Sequence, residues 1–184
     1  MIYMIQAKKL RIKKYLDEVP DDKPGYYKWW AKKKELNELL KGLDTNLKDV
    51  IVNIEKSDSL YCIYVGTAIK ESLQNRLDWH VNDKHTDRAV RNGVVSTLRQ
   101  SIASIICHNQ YDKDGTNCFI DKLYVEWFPQ NFKIKSEAAK SKISKKEKEL
   151  INNKYLRILN IKDNNCKNGQ DIKKRLKELR KESK

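Results

Sequence analysis

Three short runs of the chain carry the β-branched and aromatic side chains that favour strands, at residues 26–30, 60–65 and 123–128. The middle run is almost continuously apolar and is followed by Gly66, a pattern that is typical of a central strand. Helix-forming segments separate the runs. The sequence therefore predicts an α/β (α+β) fold, with a small, mainly antiparallel, three-stranded sheet flanked by helices.

The 184 residues suit a single domain that is large enough to bury a core. The sequence predicts three additions to this domain. The first is an N-terminal arm (1–24), expected to be helical until the turn at its end. The second is a helical insertion (about 31–59) that contains a basic amphipathic helix at 31–43. The third is a basic C-terminal tail (about 161–184).

The charge balance indicates a polyanionic partner. Lys and Arg total 39 against 25 Asp and Glu, which gives a formal net charge of +14 and favours nucleic acid. We expect no membrane partner, because the apolar runs are far shorter than the roughly 20 residues that span a bilayer. The four cysteines are scattered without a C-x-x-C pair, which favours free thiols and a cytoplasmic location.

A predicted helix at 73–81, with Ser72 as its N-cap, carries two polar side chains on one face. Arg76 and His80 are four residues apart and therefore project from the same side, one turn apart. Leu73 and Leu77 lie beside them, so this face points inward. Two interpretations remain: a buried structural arginine paired with a carboxylate, or a site for an anionic ligand.

A second helix, predicted over about 136–159, places Glu147 inside an apolar stripe that includes Leu150 and Ile151. A carboxylate there is costly unless it binds a metal ion or pairs with a cation. Lys154 shares the face and offers such a pair, and Ser144 with Glu147 also fits a capping box at a helix start. Glu149 falls on the opposite, solvated side and is the fallback acidic residue.

Two tyrosines, Tyr27 and Tyr64, lie on predicted strands, and with the two helices they resemble the active site of the GIY-YIG nucleases. Tyr64-Val65-Gly66 is similar to the second motif of that family. Arg76 with His80 resembles the arginine helix of its restriction and homing members. The resemblance covers roughly residues 25–160. Its remaining matches are Glu147, followed by the aliphatic Leu150 and Ile151, and Asn160, which resembles the asparagine that closes the fold.

The first motif of the family can be placed in two ways. In one alignment Gly25-Tyr26-Tyr27 replaces Gly-Ile-Tyr, and residues 31–59 are an insertion between two paired strands. In the other, the first strand lies at 50–54, closer to Tyr64, but that segment supplies no tyrosine. Only the first alignment brings Tyr27 into the site.

The resemblance implies a divalent-metal-dependent endonuclease that hydrolyses double-stranded DNA. Glu147 would hold Mg²⁺ or Mn²⁺, and Arg76 would bind the phosphate oxygens. Tyr27 would orient or deprotonate the attacking water, with Tyr64 beside it and His80 assisting. Gly25, Gly66 and Asn160 would support the site. The basic side chains expected on the DNA backbone are Lys32, Lys33, Arg88, Arg91 and Arg99.

The basic insertion favours an enzyme of restriction type, and cutting of both strands at a palindrome would favour a homodimer. Two other functions stay open at this point. One is a catalytically inactive DNA- or RNA-binding module of the same fold. The other is a structural or partner-binding basic domain in which Arg76 and Glu147 pair in the core.

Overall fold

The computed structural model describes residues 3–82, 85–151, 155–162, 164, 166 and 169–184. These residues form one sheet and a surrounding layer of helices. The strands are β1 (Tyr3–Gln6), β2 (Gly25–Lys32), β3 (Lys56–Ser57), β4 (Leu60–Ala68) and β5 (Tyr124–Pro129). The helices are α1 (Lys13–Leu16), α2 (Lys33–Gly42), α3 (Leu47–Val50), α4 (Leu73–Asn82), α5 (Asp87–Arg91), α6 (Thr97–Ile102), α7 (Lys113–Ile120), α8 (Glu137–Ile151) and α9 (Gly169–Glu182), with 3-10 turns at Ala7–Arg11 and Ile51–Asn53 and a π-helical turn at Ala103–Cys107.

The sheet has the strand order β1-β5-β2-β4-β3, and each pair of neighbours is antiparallel. The α/β prediction is confirmed, and the three expected strands are the central β5, β2 and β4. The sheet has five strands rather than three because two short strands were missed. One of them is β1, so the N-terminal arm is helical only in part. Its first described residues pair with β5, from Tyr3 opposite Trp127 to Gln6 opposite Tyr124, and cover what would be an open sheet edge.

The first strand of the central pair is β2. Gly25, Tyr26 and Tyr27 lie opposite Ala68, Thr67 and Gly66 of β4. The segment at 50–54, which the competing alignment offered as the first strand, forms the end of α3 and a 3-10 turn. The chain between β2 and β3 therefore contains the helices α2 and α3, and Tyr27 lies beside the Tyr64 motif.

The two faces of the sheet carry separate apolar clusters, because successive strand residues point to opposite sides. Tyr27 and Trp29 belong to the larger cluster, which also includes Leu73 and Leu77 of α4. The smaller cluster lies on the other face and is covered by α8. Its buried members are Trp30, Cys62, Val65 and Ile151.

Helix α8 begins at Glu137, where the sequence predicts, but ends sooner than predicted. The Ser136 hydroxyl accepts a hydrogen bond from the amide of Ala139 at 3.2 Å, so Ser144 lies inside the helix and the capping-box alternative is wrong. The helix ends at Ile151. Tyr155 and Ile158 therefore lie beyond it, and Lys154 lies outside the described residues.

The basic C-terminal segment is part of the packed domain. Helix α9 buries Ile172, Leu176 and Leu179 in the larger apolar cluster. We therefore describe 169–182 as a core-packed helix instead of a tail. Among the described residues, no helix has both the length and the apolar character needed to cross a lipid bilayer.

Asn160 ties the segment after α8 to the outer side of β4. Its side-chain oxygen accepts a hydrogen bond from the amide of Val65 at 2.9 Å, and its side-chain nitrogen donates to the carbonyl of Val65 at 2.8 Å. The neighbouring amide of Leu159 donates to the carbonyl of Ile63 at 3.0 Å. The side chain thus replaces one residue of a partner strand, immediately beside Tyr64.

We expect Asn160→Ala to lower the free energy of unfolding by about 2 to 4 kcal/mol, because it leaves a buried amide and a buried carbonyl without partners. Chemical denaturation measures this change. The matched control is Asn37→Ala, at an exposed position of α2, which should shift the free energy by no more than about 0.5 kcal/mol. Equal effects of the two substitutions would show that the Val65 contacts contribute nothing.

Candidate active site

The predicted site residues from four elements line one cavity of about 530 Å³, here called the active-site cavity. Tyr27 comes from β2, Tyr64 from β4, Arg76 and His80 from α4, and Glu147 from α8. The cavity opens at the edge of the sheet, where α8 and α4 approach it from opposite faces. Its remaining lining residues are Thr67, Trp79, Gly93, Val94, Val95, Ser96 and Thr97.

Two glycines allow the strands and helices of the site to approach closely. A Cβ atom on Gly66 would lie 2.5 Å from the hydroxyl oxygen of Tyr27 and 2.6 Å from its Cζ. The aromatic ring of Tyr27 therefore occupies the space that a side chain at position 66 would need. At Gly25 a Cβ atom would lie 2.4 Å from the carbonyl oxygen of Phe128 and 2.8 Å from Leu73.

His80 links Tyr27 to the start of α6. Its Nε2 lies 2.7 Å from the Tyr27 hydroxyl oxygen, and its Nδ1 lies 3.0 Å from the hydroxyl oxygen of Ser96. Ser96 also caps α6 by accepting a hydrogen bond from the amide of Arg99 at 3.3 Å. The result is a continuous hydrogen-bonded chain from Ser96 through His80 to Tyr27.

Burial keeps the hydrogen-bonded side chains of His80 and Tyr27 neutral. Burial first, and then the positive charges of Arg76 and Arg99, hold the pKa of His80 well below 6.5. Burial also raises the pKa of Tyr27 well above its ordinary value, with a smaller contribution from Tyr64. A neutral imidazole has one donor and one acceptor nitrogen, so His80 can accept the Tyr27 proton when Nδ1 carries its own proton toward Ser96.

Arg76 is the cation of the cavity. One of its terminal nitrogens lies 2.6 Å from a carboxylate oxygen of Glu71, and the side chain remains 24% exposed. Its guanidinium also lies 4.8 Å from the ring centroid of Trp79, a favourable cation–π contact. These two contacts fix the orientation of the guanidinium while leaving it accessible to an anion.

Tyr64 and Glu147 interact electrostatically across the cavity. Burial, followed by the negative charge of Glu147, raises the pKa of Tyr64 to about 12. Glu147 is half-buried, whereas Glu149 is exposed and lies 3.7 Å from Lys146. The structure thus places Glu147 in the cavity and directs Glu149 to the outside, as the helical pattern predicts.

Glu147 is the side chain of the cavity that could hold a metal ion. The described residues contain no group of three or more His, Cys, Asp or Glu side chains arranged to enclose one. A single carboxylate is a ligand type that Mg²⁺ accepts, since this ion commonly binds proteins through one or two carboxylates and keeps several of its waters.

The residues predicted to contact the DNA backbone are distributed unevenly around the cavity. Arg88 and Arg91 are exposed on α5, shortly before the cavity residue Gly93. Lys32 and Lys33 are exposed near the far end of β2, about 17 Å along the strand from Tyr27. Lys32 also lies on the opposite sheet face, since its amino group is 5.6 Å from the ring centroid of Tyr124, which packs on the smaller cluster.

Arg99 differs from the expectation, because it is fully buried and is not available to a DNA backbone. Its guanidinium donates to the carbonyl of His80 at 2.8 Å and to the side-chain oxygen of Asn117 at 2.7 Å. It lies in the first turn of α6, three residues after the Ser96 cap, and its side chain is directed inward. The sequence prediction counted it as a surface cation, and the structure assigns it to the support of His80.

Three polar or aromatic side chains of the site were missed from the sequence. Ser96 caps α6, and no local pattern in the sequence indicates its contact with His80. Glu71 lies just before the arginine helix, and Trp79 lies within it, three residues after Arg76. The helical i, i+3 relation between Arg76 and Trp79 is the one signal that could have found the cation–π pair.

The comparison with known families agrees with this geometry. The model of the GIY-YIG catalytic domain matches residues 25–182. The chain therefore belongs to the GIY-YIG family and is a nuclease domain of that superfamily, which confirms the resemblance seen in its sequence. Comparison with curated proteins and with solved structures gives no match.

We expect Gly66→Ala to lower the free energy of unfolding by about 1 to 3 kcal/mol, because the new methyl group overlaps the ring of Tyr27. The measurement is a double-mutant cycle with Tyr27→Ala. Removing the ring opens the space, so the two substitutions together should cost less than the sum of their separate effects by at least about 0.5 kcal/mol. Additive effects would contradict the contact.

The neutral His80 makes stability depend on pH. The unfolded chain takes up a proton at this residue as the pH falls through 6.5, whereas the folded chain does not. The free energy of unfolding should therefore decrease below pH 6.5, with a slope of up to about 1.4 kcal/mol per pH unit from this residue.

The test compares chemical denaturation at several pH values in wild type, His80→Gln and His108→Asn. His80→Gln should be less stable at neutral pH but should lose less stability on acidification. His108→Asn is the matched control, because His108 is exposed and has a left-handed backbone that asparagine tolerates. It should retain the wild-type slope. An unchanged slope in His80→Gln would show that His80 is not held neutral.

Proposed function

We propose that the protein is a divalent-metal-dependent endonuclease that hydrolyses phosphodiester bonds in double-stranded DNA. The observation that carries this proposal is the convergence of Tyr27, Tyr64, Arg76, His80 and Glu147 on the active-site cavity. Two of these side chains are oppositely charged, and the others form a neutral hydrogen-bonding wall. Such a cavity suits an anionic group that must be bound and attacked by water.

Arg76 binds the non-bridging oxygens of the scissile phosphate. A guanidinium presents paired donors that match phosphate oxygens. Its ion pair with Glu71 is partly exposed, with side-chain exposures of 24% and 32%, so exchange of that carboxylate for a phosphate costs little free energy. Trp79 keeps the guanidinium plane in place during the exchange.

Tyr27 and His80 handle the proton of the attacking water. The oxygen of that water forms a bond to phosphorus, the bond from phosphorus to one bridging oxygen breaks, and the released oxygen takes up a proton from solvent. The water proton moves to the Tyr27 oxygen while the Tyr27 proton moves to Nε2 of His80, 2.7 Å away. A phosphate bound at Arg76 offsets the positive charge that lowers the pKa of His80 and so makes the imidazole a better acceptor.

Glu147 is the residue that would hold the Mg²⁺ or Mn²⁺ ion. When bound, the ion supplies Lewis-acid stabilisation of the negative charge that develops on the phosphate oxygens. The charges of Glu147 and Arg76 both act on Tyr64. The hydroxyl group of Tyr64 can orient a water molecule between these two side chains.

A restriction-type enzyme is the finer proposal. The insertion adds the basic helix α2 directly after β2, at the end of the strand away from Tyr27, and the exposed Arg88 and Arg91 lie shortly before the cavity residue Gly93. A duplex bound at the cavity extends beyond it and can contact further basic side chains through its backbone. Cutting of both strands at a symmetric sequence would require two active-site cavities, so we further propose a homodimer on DNA. Light scattering with and without a duplex tests the assembly.

We expect Glu147→Gln and Arg76→Ala each to abolish cleavage of plasmid DNA in Mg²⁺ or Mn²⁺, with rates at least about a hundredfold below wild type. Gel electrophoresis of time courses measures the rates. Discrete fragments support the restriction-type proposal, and a smear supports an enzyme without sequence specificity.

Glu149→Gln is the matched control for Glu147→Gln, because it makes the same change on the exposed side of α8 and should leave the rate unchanged. Thermal unfolding of each variant separates lost activity from lost structure. Metal-dependent cleavage by folded Glu147→Gln or Arg76→Ala would sink the assignment of these residues. DNA binding without cleavage by the wild type would favour the inactive binding module instead.

A further inference from the structure

A second cavity, lined by basic side chains of the C-terminal helix, opens beside the active-site cavity. It has a volume of about 440 Å³. Gly93 lines both cavities, so they adjoin at this residue. The space around Gly93 is open, because a Cβ atom built there would meet nothing within 4 Å. This cavity is called the α9 groove, and its lining residues are Gly93, Gln100, Gln110, Ile161, Lys177, Arg180, Lys181 and Lys184.

Helix α9 separates its charges into distinct sectors. With about 100° per residue, measured from Arg175, the groove residues Arg180, Lys177 and Lys181 fall at about 140°, 200° and 240°. The acidic Glu178 and Glu182 fall at about 300° and 340°, close to Arg175 itself.

The structure agrees with this separation. Arg175 lies 3.9 Å from a carboxylate oxygen of Glu178 and 3.4 Å from one of Glu182. Here the acidic side chains are paired on one side, and no Asp or Glu occurs among the described residues that line the groove.

Arg180 connects the groove to the catalytic residues. It is half-buried, and its guanidinium donates a hydrogen bond to the side-chain oxygen of Gln100. Its positive charge acts on Tyr64, where it opposes the effect of burial on the tyrosine pKa. The main chain of the helix end is fixed by Gln110, whose side-chain nitrogen donates to the Arg180 carbonyl at 2.6 Å. The basic surface is therefore held rigidly beside the active-site cavity.

We propose that the α9 groove binds the backbone of the DNA strand next to the scissile phosphate. This inference rests on the proposed function and specifies where the substrate runs. The length of the basic surface fits a strand segment: α9 rises by about 6 Å from Lys177 to Lys181, and Lys184 extends the surface past the helix end at Glu182, so it matches about two to three phosphates at 3.4 Å each along the duplex axis. The strand continues from Arg76 past Gly93 to the lysines.

The test uses a variant that removes three charges and leaves Arg180 in place. Lys177, Lys181 and Lys184 are exposed, so Lys177→Gln/Lys181→Gln/Lys184→Gln does not disturb the core. The matched control removes the same charge from exposed lysines of the N-terminal arm, before the matched residues 25–182. It is Lys8→Gln/Lys13→Gln/Lys14→Gln.

Binding to a labelled DNA duplex of about 20 base pairs is measured by fluorescence anisotropy in EDTA, at salt concentrations from about 50 to 200 mM. Each phosphate contact contributes about 0.9 to the slope of log Kd against log salt concentration. The groove variant should bind more weakly, and its slope should be smaller than that of wild type by about 2 to 3. The control variant should keep the wild-type slope.

Cleavage rates measured over a range of DNA concentrations up to saturation supply a second readout. The groove variant should keep the wild-type kcat and show a raised KM, because its lysines contact DNA away from the reacting atoms. Equal slopes in the groove and control variants would contradict DNA binding by the α9 groove while leaving the proposed function intact. A wild-type protein that neither binds nor cuts DNA would overturn both.

Discussion

The contact between the ring of Tyr27 and the backbone of Gly66 is the constraint on which the candidate active site depends. It requires that β2 and β4 pair in one register, since the two residues lie directly opposite each other. A shift by one residue would exchange the faces of β2 and remove Tyr27 from His80. Tyr26, the preceding residue, stacks on Phe128 with ring centroids 4.6 Å apart and holds the other face. The segment between β2 and β4 is long, but the pairing of these two strands places Tyr27 in the site whatever the length of that segment.

Burial then determines which groups of the site carry charge. Tyr27 belongs to the larger apolar cluster, and His80 is buried against its ring. Both are neutral, because burial shifts the pKa of the base downward and that of the acid upward. Arg76 and Glu71 are partly exposed and remain an ion pair. The resting site therefore consists of a neutral hydrogen-bonded chain beside a replaceable carboxylate. A phosphate can replace Glu71 as the partner of Arg76. Its charge alone then alters the proton affinity of His80 and Tyr27.

The parts of this arrangement that the sequence predicts are those with local signals. The apolar run before Gly66, the Ser72 cap and the four-residue spacing of Arg76 and His80 identify β4 and α4, and the structure has both. The helical pattern likewise places Glu147, not Glu149, toward the cavity. The sequence alone leaves the first strand open, because only the long-range pairing of β2 with β4 and β5 distinguishes residues 25–32 from 50–54. Ser96 and β1 were missed because their partners are distant in the sequence: Ser96 contacts His80 from beyond α5, and β1 pairs with β5. Glu71 and Trp79 are close to Arg76 in the sequence, but only the folded structure shows that they contact its guanidinium.

The net charge does not show where DNA would bind, because part of the positive charge lies on buried arginines. Arg99 and Arg157 are 0% and 1% exposed, and each is held by the protein itself. Arg99 donates to the carbonyl of His80, whereas Arg157 pairs with Glu55 on the other side of the sheet. Both are counted in the formal net charge of +14, but neither guanidinium is available at the surface to contact DNA. Arg99 nevertheless acts on the site, because its charge helps to keep His80 unprotonated. The basic side chains therefore have different roles: exposed lysines are available to a polyanion, whereas the buried Arg99 adjusts the proton affinity of His80.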